Sequence, residues 1–228
     1  MVTMSTTSRH DAHDRAAATA QSWLHAPRGA PVTQADLEAT PWYGKNVRAV
    51  DGSVHITPFT KAEREALPDD GRRHELLDGT LLMSPAPTRR HQRAVVRLAV
   101  LLDAAAHGDF EVFVAPVDVD LGEASVVEPD LFVAPREDLD TPEPSLPLLV
   151  VEVLSPSTRR IDRGAKKAAY ARAGIRDYWI VDPDRPSLTA WHLAPDGTYR
   201  ETGHAVGDQT FTTTTPFEVT FTPDQLLA

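Results

Sequence analysis

The stretch that most constrains the fold runs from residue 146 to 183 and reads LPLLVVEVLSPSTRRIDRGAKKAAYARAGIRDYWIVDP. Residues 148–154 form a short valine-rich apolar run, the pattern of a strand buried on both faces. Glu152 stands inside that run, where a lone carboxylate is costly unless it is paired, hydrogen-bonded or bound to a metal. Ser155-Pro156-Ser157-Thr158 then stops the strand and supplies N-cap candidates for a helix over residues 160–173. Gly174 suits the left-handed position after a helix, and Ile175 the apolar contact that follows it. A second strand, Asp177–Asp182, ends at Pro183. The stretch is therefore a strand–helix–strand unit with a carboxylate in its core strand.

The helix offers that carboxylate a partner. Asp162, Lys166 and Tyr170 recur every four residues and lie along one stripe. They read either as a solvated Asp–Lys pair with a tyrosine packed beside it, or as a lysine pointing back over the sheet to Glu152. Lys167, turned by about 100° around the helix, is the competing lysine.

Among the remaining segments, residues 60–67 read as a short helix capped by Thr60 with Glu63 three positions on. Glu75-Leu76-Leu77-Asp78-Gly79-Thr80-Leu81-Leu82 is a hairpin with an Asp-Gly turn. Residues 88–107 form an amphipathic helix with Val95, Leu98, Leu101 and Leu102 on its apolar side and Gly108 at its end. Residues 110–121 read as a strand interrupted by Pro116, and residues 129–133 as another, entered through Pro129. A late hairpin spans residues 188–193 and 199 onward, followed by a Thr-rich strand and a short apolar tail. The order predicts an α/β fold with a mixed sheet flanked by helices. Residues 1–30 lack periodicity and read as a disordered extension. Residues 31–58 are an ambiguous appendage, with a helical turn or two in 34–39 and Trp42-Tyr43 as a docking element, and residues 59–228 are the organised domain.

Composition narrows the chemistry. There is no cysteine, so thiolate zinc sites, disulfides and cysteine nucleophiles are excluded. No apolar run reaches membrane-spanning length and no secretory leader is visible, so a cytoplasmic protein without a membrane partner is expected. Net charge is −10, which argues against a nucleic-acid partner until its distribution is considered. Residues 89–97 carry four arginines (Arg89, Arg90, Arg93, Arg97) and no acid, and residues 159–176 carry seven basic residues and one acid. Two basic helices on an acidic body are either solvated faces or a phosphate-binding footprint.

Asp130 opens one strand and Glu152 lies in the next, so adjacent pairing would bring two carboxylates to one sheet edge. Such oxygen ligands suit Mg²⁺ or Mn²⁺, with water and substrate phosphate completing the shell. No Walker loop, HExxH or Gly-x-Ser-x-Gly signature is present.

Pro129-Asp130, then Glu152-Val153-Leu154-Ser155-Pro156-Ser157, then Asp162, Lys166 and Tyr170, then Tyr178-Trp179-Ile180-Val181-Asp182 together resemble the Uma2 family of restriction endonucleases, a branch of the PD-(D/E)XK nucleases. The likeness runs over about residues 59–199 and includes the Glu75 hairpin, Pro85-Ala86-Pro87 and His91. The resemblance implies an αβββαβ restriction-endonuclease-like core with added hairpins, and metal-dependent cleavage of DNA phosphodiesters. It implies that Asp130 and Glu152 hold Mg²⁺ or Mn²⁺, that Glu75 is an auxiliary acid acting through water, and that Lys166 orients the attacking water. The superfamily's lysine two residues after the glutamate is replaced here by Leu154, and Lys166 stands where it would have migrated. Alternatives remain open. Glu75 also reads as a salt-bridge residue, His91 as a structural hydrogen-bonder, and Tyr170, Tyr178 and Trp179 as packing. The whole chain also reads as a non-catalytic nucleic-acid-binding or regulatory module, or as an enzyme of RNA or small phosphodiesters. Cutting both strands would be easier for a homodimer.

Overall fold

A computed structural model describes residues 58–67, 73–84 and 86–228, and the backbone alone of 47–50 and 53–56. The chain divides into two units between Pro58 and Phe59. In the first, β1 (Val47–Val50) and β2 (Ser53–Ile56) form an antiparallel hairpin. The expectations for residues 1–30, for 34–39 and for Trp42-Tyr43 fall outside the described residues.

The second unit opens with α1 (Lys61–Glu65), whose capping box is complete: the Thr60 hydroxyl accepts the Glu63 N–H and the Glu63 carboxylate accepts the Thr60 N–H. Strands β3 (Arg73–Leu77) and β4 (Thr80–Ser84) pair across Asp78 (φ 49°) and Gly79 (φ 74°). Two successive left-handed residues are what a tight hairpin matched to strand twist requires. Helix α2 (Arg89–Ala105) starts at Thr88, whose side chain accepts the His91 N–H. It buries His91, Ala94, Val95, Leu98 and Leu102, a stripe at helical spacing. Gly108 is not its cap; the helix closes at Ala106 in an extended conformation.

The expected strand over 110–121 is two strands. β5 (Phe110–Val114) and β6 (Val119–Gly122) belong to different sheets, because Pro116 has no N–H to continue the ladder and the chain turns away there. The short β7 (Ser125–Val127) joins β6 and β3, completing a four-stranded sheet in the order β4-β3-β7-β6. β8 (Leu131–Pro135), β9 (Leu149–Val153), β10 (Asp177–Asp182), β11 (Ser187–Leu193) and β12 (Tyr199–Val206) build the main sheet in the order β12-β11-β10-β9-β8-β5. Among the described strands only β9 and β10 run parallel, and the helix between them is their crossover. A last hairpin, β13 (Phe211–Thr213) and β14 (Val219–Phe221), precedes a 3₁₀ turn at Pro223–Leu226.

Helix α2, then β5, β8 and β9, then the crossover helix and β10 give the αβββαβ order. Every residue of β9 is buried because helices cover both faces of the sheet. Leu149, Val151 and Val153 face α2 with Leu98, Leu102 and Trp179. Val150 and Leu154 face the crossover helix with Tyr170, Ile175 and Tyr178. Glu152 therefore falls on the crossover-helix face, by simple alternation. That helix comprises α3 (Arg159–Ile161), a π-helical turn (Asp162–Lys166) and α4 (Lys167–Ala173). Its start is tied by the Ser155 hydroxyl, which accepts the Thr158 N–H; Thr158 itself makes no capping bond. Gly174 ends it at φ 92° with Ile175 fully buried behind. Among the described residues no helix is long and apolar enough to cross a membrane.

Gly174 needs its left-handed φ, whereas Gly108 has an ordinary one and open space at its Cβ position. In urea titrations, Gly174→Ala should lower stability by about 1 kcal/mol, and Gly108→Ala should stay within about 0.5 kcal/mol of the parent. Equal effects would contradict the assigned helix ends.

Candidate active site

Three backbone elements bring the acids together. Leu131 of β8 lies opposite Val151 of β9, so Asp130, just before β8, reaches the end of β9. There its Oδ2 accepts the Val153 N–H at 2.8 Å. Glu152 projects from β9 towards the crossover helix. Glu75 comes from β3 in the other sheet, and its Oε1 accepts the Glu128 N–H at 2.8 Å, two residues before Asp130. This bond ties the four-stranded sheet to the approach of β8.

Lys166 closes the group. Its Nζ lies 2.8 Å from Glu75 Oε1 and donates to Glu152 Oε1 at 3.0 Å. The Tyr170 hydroxyl donates to the same Glu152 oxygen at 2.6 Å. Asp162 Oδ1 lies 4.0 Å from Lys166 Nζ. Asp162 is 1% exposed and Lys166 3%, so the stripe is not a solvated ion pair but part of a buried cluster. Lys167, one position on, lies over the Trp191 ring at 3.7 Å and takes no part.

Asp130 has its own clamp. Arg73 Nη1 donates to its Oδ1 at 3.0 Å, and His91 Nε2 lies 3.2 Å from its Oδ2. Thus His91 meets the structural reading, as a buried hydrogen-bond partner from the first turn of α2. Arg73 also approaches Glu128 Oε2 at 3.6 Å.

The electrostatics follow from burial and partners. Burial pushes Glu152 up, to about 8, against the pull of Lys166, with Asp162, Asp130 and Glu75 adding to the push. Burial likewise pushes Asp162 up to about 6, opposed by Lys166 and a bond from Thr158. Burial also works on Asp130, but the His91 ring, the Arg73 guanidinium and the Val153 N–H outweigh it and hold Asp130 at about 2. For Lys166, burial favours the neutral amine, yet Glu152, Glu75 and Asp162 overcome it and keep the ammonium charged.

These groups line one cavity of about 930 Å³, walled also by Met83 and Ser84 of β4, Thr88, and the Ser155–Thr158 loop. Four buried acids (Glu75, Asp130, Glu152, Asp162) neighbour two cations, Arg73 and Lys166, and burial leaves Glu152 favouring a proton that a divalent cation would have to displace. Asp162 Oδ1 is buried without a hydrogen-bond partner. Among the described residues no three His, Asp or Glu side chains stand ready as a metal cluster. Mg²⁺ does not require one, since it is usually held by one or two carboxylates with water and phosphate oxygens. The donor set, hard carboxylate oxygens, therefore fits Mg²⁺ or Mn²⁺.

Of the α2 arginines, none lines the cavity. Arg90 donates to the Pro183 carbonyl at 2.7 Å, and Arg93 and Arg97 reach the carbonyls of Leu227 and Ala228. Arg89 stands exposed at the helix start. Tyr178 and Trp179 pack as expected, Tyr178 also donating to the Asp162 carbonyl at 2.9 Å. Sequence reasoning left out Arg73, Glu128 and the bond from Tyr170. Arg73 was findable, because it lies two residues before Glu75 and so shares its strand face.

Residues 61–224 match the profile of the Uma2 family, described as "Putative restriction endonuclease". An uncharacterized protein of Synechocystis sp. is 36% identical over 84 residues, 36% of this chain and 44% of that protein. The chain thus matches less than half the length of that relative. The crystal structure of "a putative nuclease belonging to DUF820" from Anabaena variabilis superposes with a TM-score of 0.60 at 16% identity. The superposition covers 75% of this chain and 98% of that one, and shows a shared fold. A family match over most of the chain, on a restriction-endonuclease-like core, makes this protein a member of the Uma2 family.

Proposed function

We propose that the chain is a metal-dependent endonuclease that hydrolyses DNA phosphodiester bonds in the cytoplasm. The observation that carries this reading is the position of Lys166, held between Glu75 and Glu152 and lining the same cavity as Asp130. On this reading a lysine from the crossover helix stands in for the one that the family pattern puts at position 154, where this chain has Leu154, just past β9. Asp130 and Glu152 would hold Mg²⁺ or Mn²⁺, with Glu75 acting through water. Such an ion, when bound, supplies Lewis-acid charge for the phosphate and its water.

The protein's own groups do the positioning. Arg73, His91 and the Val153 N–H fix both oxygens of Asp130. Tyr170, from α4, fixes Glu152. Lys166 stays protonated, so it orients water and stabilises developing phosphate charge as a donor rather than accepting a proton. Exposed Arg89 on α2 is the residue of that helix best placed to meet DNA phosphate, because Arg90, Arg93 and Arg97 are engaged with backbone carbonyls. A homodimer would present two such cavities to the two strands.

With plasmid or oligonucleotide DNA and Mg²⁺ or Mn²⁺, Lys166→Ala should reduce cleavage by about 100-fold or more, and Lys167→Ala by less than about threefold. Loss through Lys167 alone would assign the wrong lysine. DNA bound but never cut by the parent protein, with either metal, would favour the non-catalytic binding module.

A second test locates the metal. Mg²⁺ should raise the parent's Tm by mass action, since only the folded chain assembles the carboxylates. Asp130→Asn with Glu152→Gln should abolish that rise and cleavage together. A metal-dependent rise that persists in the double variant would place the cation elsewhere.

A further inference from the structure

One buried oxygen in the cluster has no partner. Asp162 Oδ1 makes no hydrogen bond although its residue is 1% exposed. Its neighbouring cation, Lys166 Nζ, is 4.0 Å away, too far for a hydrogen bond. That ammonium is committed to Glu75 Oε1 at 2.8 Å and Glu152 Oε1 at 3.0 Å. A buried acceptor that no protein group satisfies is costly, and Asp162 Oδ1 is therefore poised to accept a donor. Asp162 and Lys166 are the two ends of the π-helical turn, and both line the cavity. Such a turn is an irregularity often found at functional sites.

On the reading proposed above, Glu152 binds a divalent cation. Glu152 would then face that cation and the Lys166 ammonium together, and two like charges at one carboxylate repel. We infer that Lys166 is the internal counter-ion of the metal-free site, and that Asp162 is the positioning residue that receives its ammonium when a divalent cation takes Glu152. A movement of about 1 Å brings Nζ from 4.0 Å into hydrogen-bond range of Asp162 Oδ1. Lys166 keeps its charge and no covalent bond changes. The exchange satisfies Asp162, takes the ammonium off Glu152 while Tyr170 still holds it, and leaves the ammonium facing the cavity. Metal affinity is then set by how well Asp162 accepts the displaced cation.

The test is Mn²⁺ calorimetry on the full chain in four forms: parent, Asp162→Asn, Lys166→Met, and both together. Asp162→Asn should weaken Mn²⁺ binding by about tenfold or more, and Lys166→Met should tighten it by removing the competitor. In the Lys166→Met background, Asp162→Asn should change affinity by less than about twofold. An unchanged affinity in Asp162→Asn overturns the inference. So does a loss that persists in the double variant, which would make Asp162 a direct ligand or a plain field effect. If Lys166→Met does not fold, the Lys166 ammonium resonance in ¹⁵N-labelled protein decides. Mg²⁺ should shift it in the parent and leave it in Asp162→Asn, and an unmoved parent signal overturns the inference. A parent that binds no Mn²⁺ at all is a distinct result, refuting the metal-dependent reading and this inference with it.

Discussion

The structure depends on a buried ammonium shared between acids from two sheets. Lys166 joins Glu75 of the four-stranded sheet to Glu152 of the six-stranded one. Removing one partner of such a buried pair typically costs about 3–5 kcal/mol, because the other is left uncompensated. Replacing the whole group with apolar side chains could be neutral or better. The cluster is thus not explained by stability. Its charged groups line the cavity.

The surrounding fold reads as support for that arrangement. The β8–β9 ladder places Asp130 beside Val153, and alternation along β9 turns Glu152 towards the crossover helix. The π-helical turn brings both Asp162 and Lys166 to the cavity, while Tyr170, the next member of the stripe, steadies Glu152. Beneath them Tyr178 bonds the Asp162 carbonyl and packs on Tyr170, so the turn rests on rigid aromatics. On the other side Arg73 and His91 hold Asp130 ionised without closing the cavity.

Much of this was legible in the sequence where local rules and packing agree. The buried valine run, the Asp-Gly turn, the Thr60 capping box and the Gly174 stop all specify their elements through short-range physics. Glu152 was legible because a charge inside an apolar run has to be explained, and Lys166 because stripe spacing selects one lysine of two. What stayed hidden depends on long-range partners. Nothing local announces that β5 and β6 part to different sheets at Pro116, or that the three-residue β7 joins one of them. A π-helical turn leaves no periodicity in five residues, and the reach of Arg73 depends on pairing between distant strands. Arginines of α2 also bond carbonyls at Pro183 and the tail, which charge counting cannot foresee.

The central claim is that Asp130 and Glu152 form one divalent-cation centre beside Lys166. The most direct measurement is an anomalous-difference map from crystals soaked in Mn²⁺. The account predicts a peak within ligand distance of both carboxylates and inside the cavity that Lys166 lines. A peak bound elsewhere, with Glu152 still held by Lys166 and Tyr170 at saturating Mn²⁺, would contradict it.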